Sequence, residues 1–389
     1  MCLVVRDVPA LYADSMDRSQ LIQQLSVFDP SLPVERAWTP PASWFTAPEF
    51  LDLEHDEVIA RSWQPVARVA DLAEPGDFVS GCLGRNPWLV ARGLDGELRA
   101  FHNTCRHKGR EVVQGSGRTE ELVCGYHAWS YDLEGRLRKA PRTAGIEAFE
   151  REAMSLPPLR LEVWGPWIFV NDDHDAAPLA EITAPLTPRL EASGWGRLRY
   201  VESTSWHIKC NWKVYVDNYL DGGYHVPHMH PMLAAQLDMQ SYRTELFEAC
   251  SVQSSRAATR TDGRIDCDSG ERIGDEALYM WVFPNFMINR YGRCMDTNYV
   301  IPRGPDSCEV LYEFFFLGDQ EAASRSFIEE SIDQSALIQR EDISICESVQ
   351  LGLRSSSYDR GRYAPQVEMG EHHFHCLLAR RLAAALKSV

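Results

Sequence analysis

The chain has 389 residues, of which 44% are hydrophobic and 24% charged, enough apolar material for one large core or two modest ones and too much for a disordered or fibrous chain. With 39 Lys and Arg against 56 Asp and Glu, the formal net charge of −17 disfavours nucleic acid and anionic membrane as partners and favours cations or a basic protein. Eleven cysteines, an odd number scattered over a long chain, speak for reduced thiols rather than a secreted disulfide framework. No apolar run approaches the ~18 residues that span a bilayer, and Met1-Cys2-Leu3-Val4-Val5-Arg6-Asp7 does not begin an export leader, so the expectation is a soluble, cytoplasmic protein.

Residues 1 to about 45 alternate short helical patterns with proline punctuation (Trp38-Thr39-Pro40-Pro41) and read as an arm packed on another part of the chain. From Trp63 to about Val170 short β-like runs follow, at Pro87–Arg92, Leu98–His102 and Trp164–Val170, separated by Gly and Asp turns. An Ala/Pro-rich link near 174–187 leads to a helical stretch around 211–225. Strands are expected at Tyr279–Arg290 and Cys308–Leu317, and helices at 321–353 and 374–388. A sheet covered by long helices, an α+β layer arrangement, is the architecture these patterns describe.

Two short motifs carry chemistry in the β region. Cys105-Arg106-His107 and, after a 16-residue gap, Cys124-Gly125-Tyr126-His127 each pair a thiol with an imidazole. One tetrahedral Cys₂His₂ zinc is the plainest metal reading. Cys-x-His followed by Cys-x-x-His on two β-loops instead directs both sulfurs to one iron and both imidazoles to a second, the ligation of a Rieske [2Fe–2S] centre. Gly109 and Gly125 leave room for backbone N–H groups beside the sulfides, and Tyr126 and Trp129 can shield the second loop.

Downstream, Asp217-Asn218-Tyr219-Leu220-Asp221-Gly222-Gly223-Tyr224-His225-Val226-Pro227-His228-Met229-His230 sets three histidines within six residues, after two glycines and beside carboxylates. On an unbroken helix His225 and His230 would face apart; Pro227 is expected to bend the segment and let them converge. Non-haem Fe(II) sites that activate O₂ use two His and one carboxylate on one face. Asp342 is the candidate carboxylate, on a helical pattern whose Ile338, Ile345 and Val349 are expected to face the core. His228 is expected at the surface. His372, His373, His375 and Cys376 are expected to serve packing and hydrogen bonding before the last helix.

These residues resemble the oxygenase (alpha) component of Rieske non-haem iron oxygenases, and within that family the choline monooxygenases. The narrower likeness rests on 217–227, on Pro284–Gly292 with Met295–Asn298, and on Gly361–Pro365 with His372–Cys376, and the whole covers about residues 38–389. The resemblance implies an arm (1–60), a Rieske all-β domain (61–172) inserted in a helix-grip catalytic domain (173–389), with Cys105, His107, Cys124 and His127 as cluster ligands and His225, His230 and Asp342 as ligands of the mononuclear iron. It implies Asp221 as the carboxylate carrying electrons between the cluster of one subunit and the iron of the next, with Asn218 beside it, in a cyclic homo-oligomer, typically a trimer. Lys108 stands where an Arg often follows the first cluster His, and Asp221 precedes His225 by four residues where three is commoner.

The expected reaction is hydroxylation of a small quaternary ammonium compound, choline foremost, to betaine aldehyde hydrate with O₂ and two electrons. The alternative is N-demethylation or hydroxylation of glycine betaine, a carnitine-like amine or an aromatic compound; an electron carrier without catalysis is the non-enzyme reading. A quaternary ammonium is held by aromatic faces, each worth roughly 0.5–2 kcal/mol, and Tyr219, Trp281, Phe286, Asn289 and Tyr291 are the candidate pocket residues. Tyr279, Phe283, Trp206 and Trp212 are further aromatics nearby. No Gly-x-Gly-x-x-Gly fingerprint follows a strand, so NAD(P)H is expected to act only through a separate ferredoxin or flavin reductase.

Overall fold

The computed structural model describes residues 15–258, 272–318 and 323–387. Residues 1–14 of the expected arm, 321–322 of the first expected C-terminal helix and 388 of the second lie outside the described residues.

The strands are β1 (Gln64–Arg68), β2 (Asp77–Leu83), β3 (Asn86–Arg92), β4 (Leu98–His102), β5 (Ser116–Arg118), β6 (Leu122–Val123), β7 (Ser130–Tyr131), β8 (Leu137–Lys139), β9 (Pro158–Trp164) and β10 (Trp167–Asn171), then β11 (Leu198–Ile208), β12 (Arg243–Leu246), β13 (Cys250–Arg256), β14 (Glu276–Val282), β15 (Phe286–Arg290), β16 (Cys294–Gly304) and β17 (Ser307–Leu317). The first ten form an antiparallel sheet ordered β1-β10-β9-β4-β3-β2-β5 with a small β6-β7-β8 sheet beside it. The last seven form one antiparallel sheet ordered β11-β17-β16-β15-β14-β13-β12.

Alternation along these strands sends side chains to two cores, as a pleated sheet buried on both faces requires. In β15, Phe286 and Ile288 join Trp63, Trp164, Trp167 and Phe169 of the first module, whereas Met287 and the following Tyr291 join the helices. The principal helices are α1 (Arg18–Ser26), α2 (Pro48–Glu54), α3 (Trp212–Leu220), α4 (Val226–Met229), α5 (Pro231–Gln236), α6 (Arg325–Leu353) and α7 (Met369–Lys387). The arm packs into the helix-side core through Leu25, Phe28, Trp44, Phe45 and Phe50. It is pinned there by a fully buried pair: Lys213 Nζ of α3 lies 2.7 and 2.9 Å from the two carboxylate oxygens of Glu54, one of which also accepts from Trp212 Nε1 at 2.7 Å. Burial pushes the Glu54 pKa up and the Lys213 pKa down, and each group's attraction for the other opposes that push.

Several sequence expectations change here. The runs Trp164–Val170 and Tyr279–Arg290 are hairpins rather than single strands, turning at Gly165-Pro166, with Gly165 at φ +57°, and at Phe283-Pro284-Asn285. The helix expected over 211–225 ends at Leu220. Gly222 and Gly223 then take φ of +71° and +72°, so the break falls there, and Pro227 starts α4 instead of bending a longer helix. A Cβ on Gly222 would overlap the Val367 carbonyl, which leaves no room for another residue. On α6 the buried seam is Phe327, Ser331, Ser335, Gln339, Asp342, Cys346 and Gln350; Ile338 and Ile345 are half-buried and Val349 is 44% exposed. His372, His373, His375 and Cys376 lie inside α7.

Candidate metal centres and substrate cavity

The β4–β5 and β6–β7 loops form matching halves of one site. Cys105 N–H donates to Arg110 O (2.8 Å) and its carbonyl accepts from Gly109 N (3.0 Å); Cys124 N–H donates to Trp129 O (2.8 Å) and its carbonyl accepts from Ala128 N (3.0 Å). The fourth residue after each cysteine is left-handed, Gly109 at φ +73° and Ala128 at φ +57°. Both thiols are 3% exposed, and burial raises the Cys124 pKa. Both imidazoles are at the solvent edge with ring centroids 4.6 Å apart, His107 stacked on Trp129 at 5.0 Å and His127 against Tyr126 at 3.7 Å. Tyr131 Oη lies 3.5 Å from Cys105 Sγ and accepts from Arg106 N (3.0 Å). Two buried sulfurs beneath two outer imidazoles suit a two-iron cluster that differs at its two ends.

The second centre is assembled from three elements. His225 at the head of α4, His230 between α4 and α5, and Asp342 on α6 bring their ligand atoms within 4.8 Å of one another. His230 Nε2 is 3.1 Å from His225 Nε2 and 3.0 Å from Asp342 Oδ1, and His225 Nε2 is 3.6 Å from Asp342 Oδ1. Donors held ~2.1 Å from an ion at right angles stand about 3.0 Å apart, so the three atoms fit one face of an octahedral ion. The outer ring nitrogens are fixed as ligating histidines require: His225 Nδ1 by Asp221 Oδ2 at 2.5 Å, His230 Nδ1 by Glu341 Oε2 at 2.6 Å. Asn218 Nδ2 donates to Asp342 Oδ1 (2.8 Å). Asp221 also accepts from the N–H groups of Gly223, Tyr224 and His225 (2.9, 3.2 and 3.0 Å), so the left-handed glycines curl the chain back and bring a carboxylate four residues away onto the His225 ring.

A cavity of about 630 Å³, counted to its open mouth, adjoins this triad. Of the expected pocket residues, Tyr219, Asn289 and Tyr291 line it. Trp281 and Phe286 do not. Trp281, fully buried, shares the Tyr279 face of β14 but sits one pair further on, packed on Phe374 and donating to Pro284 O (3.1 Å). Phe286 points through the opposite face of the sheet onto Trp167 and Phe169. The one-residue parity of β15 that puts Asn289 into the cavity takes Phe286 out of it.

The lining holds further residues that sequence reasoning did not assign to it: Tyr215, Tyr242, Tyr279, Asn298 and Tyr312. Tyr242 stacks on Tyr279 (6.3 Å, 21°) and Tyr279 meets Tyr291 edge to face (5.9 Å, 80°). Burial pushes the pKa of Tyr219, Tyr242 and Tyr291 well up, so these phenols remain neutral. Tyr219 Oη donates to Asn289 Oδ1 (2.9 Å), whose amide donates to Asp296 Oδ1 (2.6 Å) and Asn298 Oδ1 (2.8 Å). Among the described residues lining the cavity, none is Lys or Arg. Glu341 was also missed; its place next to Asp342 was the signal in the sequence.

Comparison with known proteins agrees with this geometry. The Rieske [2Fe-2S] domain family matches residues 62–150 and the ring hydroxylating alpha subunit (catalytic domain) family matches residues 195–384. Choline monooxygenase of Arabidopsis thaliana is 43% identical, over 94% of this chain and 87% of its own. The carnitine monooxygenase oxygenase subunit of Acinetobacter pittii is 30% identical, over 83% and 87%. The crystal structure of a quaternary ammonium Rieske monooxygenase in complex with L-carnitine superposes with a TM-score of 0.76 at 26% identity, over 95% and 99%. Matching domains in the same order, a likeness that spans nearly the whole chain and two preformed donor sets place the chain in the family of Rieske non-haem iron oxygenases, as an alpha subunit with a [2Fe–2S] cluster and a mononuclear iron.

Proposed function

We propose that the chain is a monooxygenase that hydroxylates choline, R–H + O₂ + 2e⁻ + 2H⁺ giving R–OH + H₂O, with betaine aldehyde hydrate as product. The observation that carries this reading is the tyrosine-walled cavity beside the His225/His230/Asp342 face, with no basic side chain among its described lining residues. A trimethylammonium group cannot hydrogen-bond through nitrogen and is held by neutral aromatic rings; the cluster of Tyr242, Tyr279 and Tyr291 puts such rings in the cavity wall. A carboxylate-bearing substrate would set its own charge beside Asp221 and Asp342 with no partner.

Cys105, His107, Cys124 and His127 would hold the cluster, and His225, His230 and Asp342 the iron. The iron supplies O₂ activation when bound. The chain's own groups do the rest: Asp221 and Glu341 orient the two imidazoles, Asn218 steadies Asp342, and the tyrosines fix the cation so that its hydroxyl-bearing carbon faces the triad. Asp221 faces both this cavity and a neighbouring cleft, and His107 and His127 stand at an exposed tip. That placement supports Asp221 as an electron relay between subunits of a cyclic homo-oligomer, read as a trimer. A solved relative is described in terms of inter-subunit electron transfer. Electrons would come from NAD(P)H through a ferredoxin or flavin reductase. The cluster module is read as 61–172, the catalytic part as 173–389 and the arm as 1–60. No described helix is long and apolar enough to cross a membrane; the location is read as cytoplasmic.

One observation favours the alternative, glycine betaine or a carnitine-like amine. Arg272 lies 4.7 Å from the Tyr291 ring, outside the lining and 3.9 Å from Asp296, within reach of a carboxylate if Tyr291 turned aside. Substrate-dependent O₂ uptake with a surrogate reductase separates the two. Choline is expected to stimulate uptake with equimolar product, and glycine betaine, carnitine and benzoate are not; coupled turnover of carnitine or betaine in preference to choline would overturn the reading.

A further inference from the structure

A second group of ligand-type side chains lies one helical turn from the iron loop. Asp217 of α3 and Glu371 and His375 of α7 bring one ligand atom each within 4.8 Å of one another. His375 is fully buried, and its Nε2 lies 3.1 Å from Asp217 Oδ1, yet neither atom has a hydrogen-bond partner. The ring's other nitrogen, Nδ1, is 2.7 Å from Tyr363 Oη. In the tautomer whose Nδ1–H donates to Tyr363 Oη, the Nε2 lone pair faces Asp217 Oδ1 across 3.1 Å. In that tautomer a cation between the two atoms would hold them together, and the 3.1 Å separation equals that of His225 Nε2 and His230 Nε2. The nearby ammonium on α3, Lys213, is committed to Glu54. The three donors border a cleft of about 670 Å³, counted to its open mouth and also lined by Thr39, Asn218, Asp221 and Tyr358.

We propose that Asp217, Glu371 and His375 form a second site for a divalent cation, separate from the mononuclear iron site. One imidazole and two carboxylates favour Mn²⁺, Fe²⁺ or Zn²⁺ over Ca²⁺, which takes six to eight oxygens. Tyr363 orients His375 in it as Glu341 orients His230. The ion ties α7 to the turn of α3 that precedes Asp221, and it offsets the mutual repulsion of Asp217 and Glu371, to which Glu368 and Asp221 add. Asn218 borders both cavities, so the two ions would share one short stretch of α3.

The test is a Mn²⁺ titration of the full-length protein, cluster intact and labile ions removed with a chelator, with free Mn²⁺ read by EPR. Two Mn²⁺ per chain are expected for the parent, one for Glu371→Gln, one for His225→Ala and none for the double variant. Cluster absorbance and far-UV circular dichroism check that each variant is folded, and Asp217→Asn replaces Glu371→Gln if the latter fails. One Mn²⁺ in the parent with none in His225→Ala, or two in both folded parent and folded Glu371→Gln, would overturn the proposal.

Discussion

The two metal regions of this chain are built on opposite plans. The cluster loops are local: all four candidate ligands fall within 23 residues, on two β-loops with the same backbone hydrogen bonds, cysteines inside and histidines at the edge. The iron site is assembled: two histidines follow a broken helix, and the aspartate comes from a helix more than a hundred residues later, with His230 only 2% exposed. The exposed edge suits a group that must hand electrons outward, and the buried face suits one that must keep water from a reacting carbon. The loop site depends on its own short segments, whereas the assembled one depends on how α3, α6 and the arm are packed.

Substitutions can break that contrast, the largest effects first. Cys105→Ser should abolish the cluster's visible absorption and all turnover, since a hydroxyl replaces a soft thiolate; His225→Ala should leave the colour intact, remove the labile iron and also end turnover. Visible spectra and iron counts on the two proteins together show whether the sites are as independent as the architecture says. Next comes Lys213→Met, which strands the Glu54 carboxylate in the core and should cost about 3–5 kcal/mol of stability. Urea unfolding should show the loss in the helical part, while the cluster spectrum survives to denaturant concentrations close to those of the parent.

Smaller effects sharpen the picture of how the histidines are held. Glu341→Gln and Asp221→Asn each weaken a carboxylate grip on a ligating imidazole and should lower iron affinity about 10–100-fold. Asp221→Asn should in addition slow reoxidation of the reduced cluster, measured by rapid mixing with O₂ and substrate; equal reoxidation rates in the two variants would leave Asp221 a turn-forming acid only. Least severe is Tyr279→Leu, expected to raise KM for a quaternary ammonium about 2–30-fold, the value of one aromatic face, while a neutral isostere of the substrate loses far less.

How much of this was legible in the sequence follows the same contrast. The cluster motif could be read because its residues are close in sequence and their types are rare in combination. His225, His230 and Asp342, which the structure brings together, could be singled out by residue type, but the break was placed at Pro227, between the histidines, when it falls before them at the left-handed Gly222 and Gly223. Proline announces itself through a fixed φ, and glycine only through what its neighbours forbid. The face of α6 was misread because Ser331, Ser335 and Gln339 are buried by partners on other elements, such as Arg272, Tyr215 and Tyr312, which no local pattern shows. Trp281 and Phe286 were assigned to the pocket as aromatics, when strand parity and the length of the β14–β15 hairpin decide which rings reach it.

The cavity draws its candidate iron donors from helices and loops, but Tyr279, Asn289, Asn298 and Tyr312 of its wall come from the sheet, and Tyr242 and Tyr291 stand just beyond strand ends. Reaction and recognition are therefore carried by different parts of the backbone. Exchanges at the cavity-lining positions of β14, β15 and β16 should alter which molecule is admitted while leaving His225, His230 and Asp342 in place. A scaffold divided in this way can change its diet in single steps and keep its combustion chamber intact.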